Sequence, residues 1–293
     1  MRAIAWFLAA IVGTLLVAAL AGWPVYQLTH ALQPDWQFHK VAGRLWQLLL
    51  LAGIAVAVWR LGLRGRADWG YGPPRAKFLR QAGAGLALGL ATMLPMALVI
   101  VALGIRRPLP DFDATMLLAG ILKGALTGLI VALVEETFFR GLMFRAVQRD
   151  AGTTTAILCT ALFYAAIHFF ARVKIPHAEV GWTSGMVLLG SALERFADPA
   201  SIADAFIALA MVGVLLGLVR NWTGSIAAGV GLHMGWICVI KATATVTRHD
   251  TAARWSFLVS DFDAFTGWLV AGWSCLVLLA FYLSRGRFTS RSG

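Results

Sequence analysis

Charged residues are scarce in this chain of 293 residues. Lys, Arg, Asp and Glu make up 13% of it, whereas 59% is hydrophobic and the mean hydropathy is +0.76. Hydrophobic runs follow one another so closely that no hydrophilic stretch is long enough to fold as a separate soluble domain. The scarcity of charge therefore excludes an ordinary soluble protein and predicts a single integral membrane domain over residues 1–293.

Cysteine is also rare, and metal motifs are lacking. The three cysteines, Cys159, Cys238 and Cys275, each lie inside a hydrophobic run, where small packing residues are expected rather than redox centres or metal ligands. Two histidines and two glutamates could bind zinc, but the chain has no HExxH spacing. The sequence therefore predicts no metal and no cofactor.

Eight hydrophobic runs are present instead, each near the length of about 20 residues that crosses a bilayer core as a helix. They cover approximately residues 3–23, 41–59, 79–103, 116–147, 153–170, 202–218, 225–245 and 264–283. A shorter apolar stretch, residues 185–193, is expected to be re-entrant or interfacial. The predicted fold is an all-α, polytopic integral membrane bundle of about eight transmembrane helices.

Basic residues mark one side of this bundle. The link between the second and third runs holds six of them against the single acid Asp68. Because Lys and Arg favour the cytoplasmic side, this link and both termini are expected to be cytoplasmic. The net charge of +11 is then a signal of topology, and no nucleic-acid partner is predicted. The first run is longer than the apolar core of a secretory signal, so we expect it to remain as an anchor.

Two adjacent carboxylates interrupt the fourth run. Glu136 and Arg140 are four residues apart on a helix, so they share a face and are expected to form an ion pair. Glu135 points about 100° away from Glu136 and has no cation nearby in sequence. Ionisable groups at membrane depth are costly and often functional, so Glu135 is a candidate for proton transfer. The alternative is that both acids only tie helices together.

Two histidines lie in other runs. His168 follows Tyr164 by one helical turn, and if the chain reverses near residues 151–152, His168 and Glu135 lie at about the same depth. His233 stands between two glycines at a spacing that lets a neighbouring helix come close. Either histidine alone could be a packed core residue. Ionisable positions on three separate helices favour a shared site.

Three segments resemble the motifs of a known family. Residues 135–141 read as the EExxxR motif, residues 164–168 resemble its aromatic-xxx-His motif, and residues 223–236 are similar to its third, His-containing motif. In this order and on separate spans they resemble the CAAX protease and bacteriocin-processing family, whose bacterial members are called CPBP or Abi proteins. The similarity covers about residues 133–236, within a motif-bearing core of about residues 116–245.

This resemblance implies a glutamate-dependent intramembrane endopeptidase that works without a metal. Glu135 would be the general base that activates water, His168 would help to hold and deprotonate that water, and His233 would donate a hydrogen bond to the oxyanion. The supporting residues that it implies are Glu136, Arg140 and Tyr164. Peptide hydrolysis needs such a set, because a base, a water and donors must be held around the reacting carbonyl.

One position departs from the family pattern. The third motif commonly has Asn four residues after its His, and this chain has Ile237 there. Removing one oxyanion donor usually lowers the rate by about 100- to 1000-fold. The departure therefore predicts an impaired protease, or a substitute donor among the nearby residues Trp236, Lys241 and Thr243.

Three functions stay open at this point. The leading one is hydrolysis of a peptide bond in a membrane-associated protein or peptide. The second is a non-catalytic relative that binds a membrane peptide or serves as an immunity or secretion scaffold, and the third is a proton-coupled transporter that uses the same acids and histidines as a relay. The expected partners are such a substrate and the lipid bilayer, and the expected location is a bacterial cytoplasmic membrane. The substrate and the oligomeric state are left open by the sequence.

Overall fold

The computed structural model describes residues 2–170 and 173–289 and is almost entirely helical. Its α-helices are α1 (Arg2–Leu32), α2 (Phe38–Arg60), α3 (Arg75–Ala102), α4 (Ala114–Glu136), α5 (Phe144–Ala151), α6 (Thr153–Ile167), α7 (Ser184–Glu194), α8 (Ala203–Thr223), α9 (Ala227–Val246) and α10 (Trp268–Thr289).

The remaining regular structure is short. A π-helical segment, Thr137–Met143, joins α4 to α5. The strands β1 (Arg106–Pro108) and β2 (Thr247–His249) pair in antiparallel fashion. Single 3₁₀ turns cover His177–Glu179, Arg195–Ala197, Pro199–Ile202 and Ser256–Leu258.

Six helical segments of the described chain are long and apolar enough to cross a membrane. They are Arg2–Leu32, Phe38–Arg60, Arg75–Ala102, Ala114–Ala151, Pro199–Thr223 and Ala227–Val246. The predicted all-α, multi-pass membrane fold is thereby confirmed. The fifth and eighth predicted spans fall on helices with shorter apolar stretches, Thr153–Ile167 and Trp268–Ala280, so the count of eight and the side of each terminus stay predictions.

The described chain divides into two compact units. The first comprises residues 1–64, 146–152 and 166–202, and the second comprises residues 65–145, 153–165 and 203–293. In the first unit α1 packs against α2 and α7, and a cavity of about 140 Å³ with mainly apolar walls lies among these helices. The single membrane domain expected from the sequence stays a prediction.

In the second unit α9 packs against both α3 and α4. Glycines allow this approach. Gly231 contacts the backbone of α3, and a Cβ atom on Gly235 would lie 3.0 Å from the amide nitrogen of Leu90. On the other side, a Cβ atom on Gly128 of α4 would lie 2.9 Å from the carbonyl oxygen of Met234. The close approach predicted for the two glycines that flank the α9 histidine is confirmed.

The helices that carry the first two motifs are delimited by local signals. The α4 helix begins after Asp113, whose carboxylate accepts a hydrogen bond of 2.8 Å from the amide of Met116. The α5 helix ends at Ala151 and α6 begins at Thr153, and the intervening Gly152 has a φ of +86°, which favours glycine. The reversal predicted at this place stays a prediction.

Candidate active site

The adjacent acids lie where α4 changes its helical form. The α-helical pattern ends at Glu136, and the segment Thr137–Met143 continues as a π-helix. At its end the amide of Phe144 donates to the carbonyl of Phe139, five residues earlier, and to that of Gly141. π-Helical segments are rare in proteins overall, and those that occur are often found at functional sites.

Glu136 is completely buried and bound to a buried cation. Arg140 Nη1 donates to Glu136 Oε1 at 3.1 Å, so the ion pair predicted from the spacing of four residues is present. Both side chains have no exposed surface. A second guanidinium nitrogen, Nη2, donates to the carbonyl of Gly213 in α8 at 3.4 Å. Because an unpaired charge here would carry a large desolvation penalty, these bonds compensate the burial of the ion pair.

His233 lies between the two acids. Its Nδ1 atom is 3.3 Å from Glu136 Oε1, within hydrogen-bond distance, and its Nε2 atom is 3.9 Å from Glu135 Oε2. The side chain of Glu135 remains 22% exposed, whereas that of Glu136 is completely buried. The two neighbouring carboxylates are therefore unlike. Glu136 binds the guanidinium of Arg140 and lies within hydrogen-bond distance of the imidazole, whereas Glu135 keeps some exposed surface.

Tyr164 closes the buried side of this cluster. Its ring lies edge to face with the imidazole of His233, with 6.1 Å between the ring centroids, and in the same manner with Phe139 at 5.6 Å. The guanidinium carbon of Arg140 lies 4.6 Å from the centroid of the Tyr164 ring, which is the geometry of a cation-π contact. The aromatic ring therefore packs against both groups that bind Glu136.

His168 lies just beyond the end of α6, in a turn. It belongs to the first unit, whereas Glu135 and the other predicted site residues belong to the second. The pairing of His168 with Glu135 at matched depth therefore stays a prediction.

Ile237 packs on the side of α9 that faces α4. A Cβ atom on Gly128 would lie 3.3 Å from the Cβ atom of Ile237, so this apolar side chain fills the space between the helices. Among the proposed substitute donors, Trp236 gives its indole N–H to Thr92 Oγ1 at 3.0 Å. Lys241 is exposed and lies eight residues, or about 12 Å along the helix, beyond His233.

The arrangement around Glu136 includes residues that the sequence did not single out. Arg220 donates from Nε to the carbonyl of Arg140 at 2.8 Å, and Tyr71 OH lies 2.7 Å from Thr137 Oγ1. A Cβ atom on Gly229 would lie 2.7 Å from Glu136 Oε2. In the sequence Arg220 resembles any basic residue that ends a membrane span, and only its burial distinguishes it.

In the part of the chain that the structure describes, no group of three or more His, Cys, Asp or Glu side chains is placed to hold a metal ion. Within the cluster, a carboxylate and an imidazole nitrogen face each other across 3.9 Å, a geometry suited to proton transfer.

A family model matches the part of the chain that contains this site. Residues 117–239 match the family model described as type II CAAX prenyl endopeptidase, Rce1-like. No curated protein and no solved structure matches the chain. The matched segment runs from α4 to α9 and includes Glu135, Glu136, Arg140, Tyr164, His168 and His233. The resemblance to the CAAX protease family is confirmed over this segment, and it implies membrane-associated protease activity.

Proposed function

We propose that this multi-pass membrane protein, whose residues 117–239 match the Rce1-like type II CAAX prenyl endopeptidases, is a glutamate-dependent intramembrane endopeptidase. Its substrate is a peptide bond in a membrane-associated protein or peptide. The observation that carries the proposal is the position of His233, 3.3 Å from one carboxylate and 3.9 Å from the other. A base and an imidazole thereby lie side by side, and the side chain of the base keeps some exposed surface.

The cluster has two groups that can exchange one proton. Glu135, Glu136 and Arg140 together carry a net charge of −1 when all are ionised, and one proton on His233 or on Glu135 balances that charge. A base that takes one proton and later returns it is what hydrolysis needs.

The reaction follows from these positions. Glu135, the acid with exposed surface, removes a proton from water while the oxygen attacks the carbonyl carbon of the substrate. His233 that donates from Nδ1 to Glu136 has an N–H at Nε2 only when the imidazole is doubly protonated. In that form, because the gap of 3.9 Å to Glu135 is too long for a hydrogen bond, the Nε2–H is available to the oxyanion. When the C–N bond breaks, the amine leaves with the proton held by Glu135. His168 is proposed to help hold the water.

Purified protein in liposomes tests this proposal. Peptides released from a membrane-associated substrate mixture are compared by mass spectrometry for the wild type and for Glu135→Gln. We expect the variant to lose cleavage by at least about 100-fold, the contribution of one acid-base group. Glu194→Gln is the matched control, because Glu194 is exposed on α7 and undergoes the same chemical change. Full cleavage by Glu135→Gln would exclude the mechanism, and loss with a chelator that zinc restores would favour a metal-dependent one.

A non-catalytic member of the family is the second candidate, and Ile237 favours it. This position holds an apolar side chain against Gly128 instead of the donor expected four residues after His233. If oxyanion binding is the missing function, Ile237→Asn raises kcat, by up to about 100-fold, while the control Ile237→Leu does not. A cellular phenotype that survives replacement of both Glu135 and His168 would support the binding role instead.

A further inference from the structure

The Arg220 side chain donates a hydrogen bond that a backbone amide donates in a regular α-helix. In an uninterrupted α-helix the amide of Phe144 donates to the carbonyl of Arg140, four residues earlier. Here that amide donates to the carbonyls of Phe139 and Gly141 instead. The carbonyl of Arg140 thus loses its regular donor, and Arg220 Nε donates to it at 2.8 Å.

This contact is buried and costly to arrange. Arg220 is only 7% exposed, and its guanidinium carbon lies 5.7 Å from the centroid of the Phe144 ring. Among the described residues no carboxylate forms an ion pair with it. A charged guanidinium without an acid is expensive to bury, so its hydrogen bond to the carbonyl and its aromatic neighbour must compensate.

The same helix holds Arg140 at both of its ends. Gly213 and Arg220 are two turns apart on α8, and the first accepts from the Arg140 guanidinium at 3.4 Å while the second donates to the Arg140 backbone. The residue that neutralises Glu136 is therefore held by its side chain and by its main chain. Movement of this π-helical turn would shift the guanidinium relative to Glu136 Oε1.

We propose that Arg220 is a positioning residue of the peptidase: by donating to the Arg140 carbonyl in place of the Phe144 amide, it keeps the π-helical turn in the form that holds Glu136 and His233 beside Glu135. This inference rests on the proposed function. Arg220 acts through Arg140, so its loss lowers kcat more than it changes KM. A displacement of about 1 Å in such a site can cost about 100-fold in rate.

The test compares Arg220→Met, which removes the donor, with Arg220→Lys, which keeps one. We expect Arg220→Met to lower kcat about 100-fold with little change in KM, and Arg220→Lys to retain most of the activity. Arg149→Met is the matched control, since Arg149 is exposed on α5 and loses the same charge. A variant that changes KM alone would show that Arg220 acts on substrate binding, which overturns the proposal.

A second readout does not depend on cleavage. Glu136 has no exposed surface, so it should resist a membrane-soluble carbodiimide, whereas loosening of the π-helical turn should raise its labelling, measured by peptide mass spectrometry. If the wild type cleaves no peptide, the proposed function fails, and the labelling alone then decides the role of Arg220. Unchanged labelling of Glu136 in Arg220→Met would overturn the proposal. If Arg220→Met does not fold, labelling and kcat are compared between wild type and Arg220→Lys. Wild-type labelling and wild-type kcat in Arg220→Lys support the proposal, and raised labelling despite the retained donor contradicts it.

Discussion

Two consecutive parts of one hydrophobic stretch are held in opposite ways. Along α4 the glycine seam, which consists of Gly120, Gly124 and Gly128, lets the backbone of α9 come close. In the π-helical segment Thr137–Met143 that follows, a buried hydrogen bond from Arg220 holds the backbone, and Tyr71 is hydrogen-bonded to the Thr137 side chain. Irregular backbone is tolerated at membrane depth only where protein satisfies it. Close packing at glycines therefore holds the regular helix, whereas the π-helical segment at the acidic site also uses hydrogen-bond donors from other parts of the chain.

Loss of the Arg140 charge should have the largest effect. Arg140→Met leaves Glu136 buried without its cation, and breaking a buried pair from one side costs about 3–5 kcal/mol. The double variant Glu136→Met/Arg140→Met should be much less destabilised, because no charge is left uncompensated. Unfolding in increasing SDS measures both, with Arg149→Met as the exposed control. A double variant as unstable as Arg140→Met would contradict the importance of charge compensation.

A methyl group in the glycine seam should have the next largest effect on stability. In Gly128→Ala the new Cβ atom would lie 2.9 Å from the carbonyl oxygen of Met234, so α4 and α9 must separate. Overpacking of this kind costs about 1–3 kcal/mol. Gly83→Ala is the control, since nothing lies within 4 Å of its Cβ position, and it should be neutral or stabilising. Equal stability of the two alanine variants in thermal unfolding would show that the seam is not tightly packed.

Gly229→Ala tests the place where the two regions meet. The added Cβ atom would lie 2.7 Å from Glu136 Oε2, which is the end of a flexible side chain and can move aside. We therefore expect a loss of stability of only about 1 kcal/mol, but a fall in kcat of about 10- to 100-fold because the carboxylate shifts away from His233. Kinetics and thermal unfolding of the same preparation measure both. Wild-type kcat in this variant would argue against a role for the exact position of Glu136.

The smallest effect is expected at Asp113, the residue that precedes α4. The Thr115 hydroxyl and the Met116 amide donate to Asp113 and hold the pKa of its carboxyl below the usual value. Its contribution to stability is therefore complete above the unfolded pKa of about 3.9 and is lost as the pH falls through the lower folded pKa. Asp113→Ala should lower the melting temperature slightly at pH 7, and this difference should vanish in strong acid. The neighbouring exposed Asp111→Ala should show neither change.

Much of the fold and part of the site follow from local rules. Composition and run length were enough to predict a multi-pass helical fold, and a spacing of four residues was enough to predict the ion pair between Glu136 and Arg140. The π-helical segment was not predicted, because hydrophobic periodicity does not report one extra residue in a turn. The position of His233 next to both acids was not predicted either, because sequence spacing does not report how two helices are rotated against each other.

The role expected for Trp236 illustrates the same limit. Its proximity to His233 in sequence made it a candidate donor for the oxyanion, yet its indole N–H is given to Thr92 of α3 at 3.0 Å. Successive residues on a helix point about 100° apart, so a residue three positions along faces a different neighbour. Which neighbour that is depends on helices that are distant in the chain.

The sequence by itself determined the membrane class, the runs that become helices and the pairing of acid and base within one turn, because these depend on residue type and on spacing within about four residues. Only the tertiary structure decided that Glu136 is sealed while Glu135 keeps exposed surface, and that Arg220 supplies the donor which the π-helical turn lacks. The physical reason is that contacts between helices are set by close packing of backbones at small residues. That packing fixes rotation and register between segments far apart in sequence.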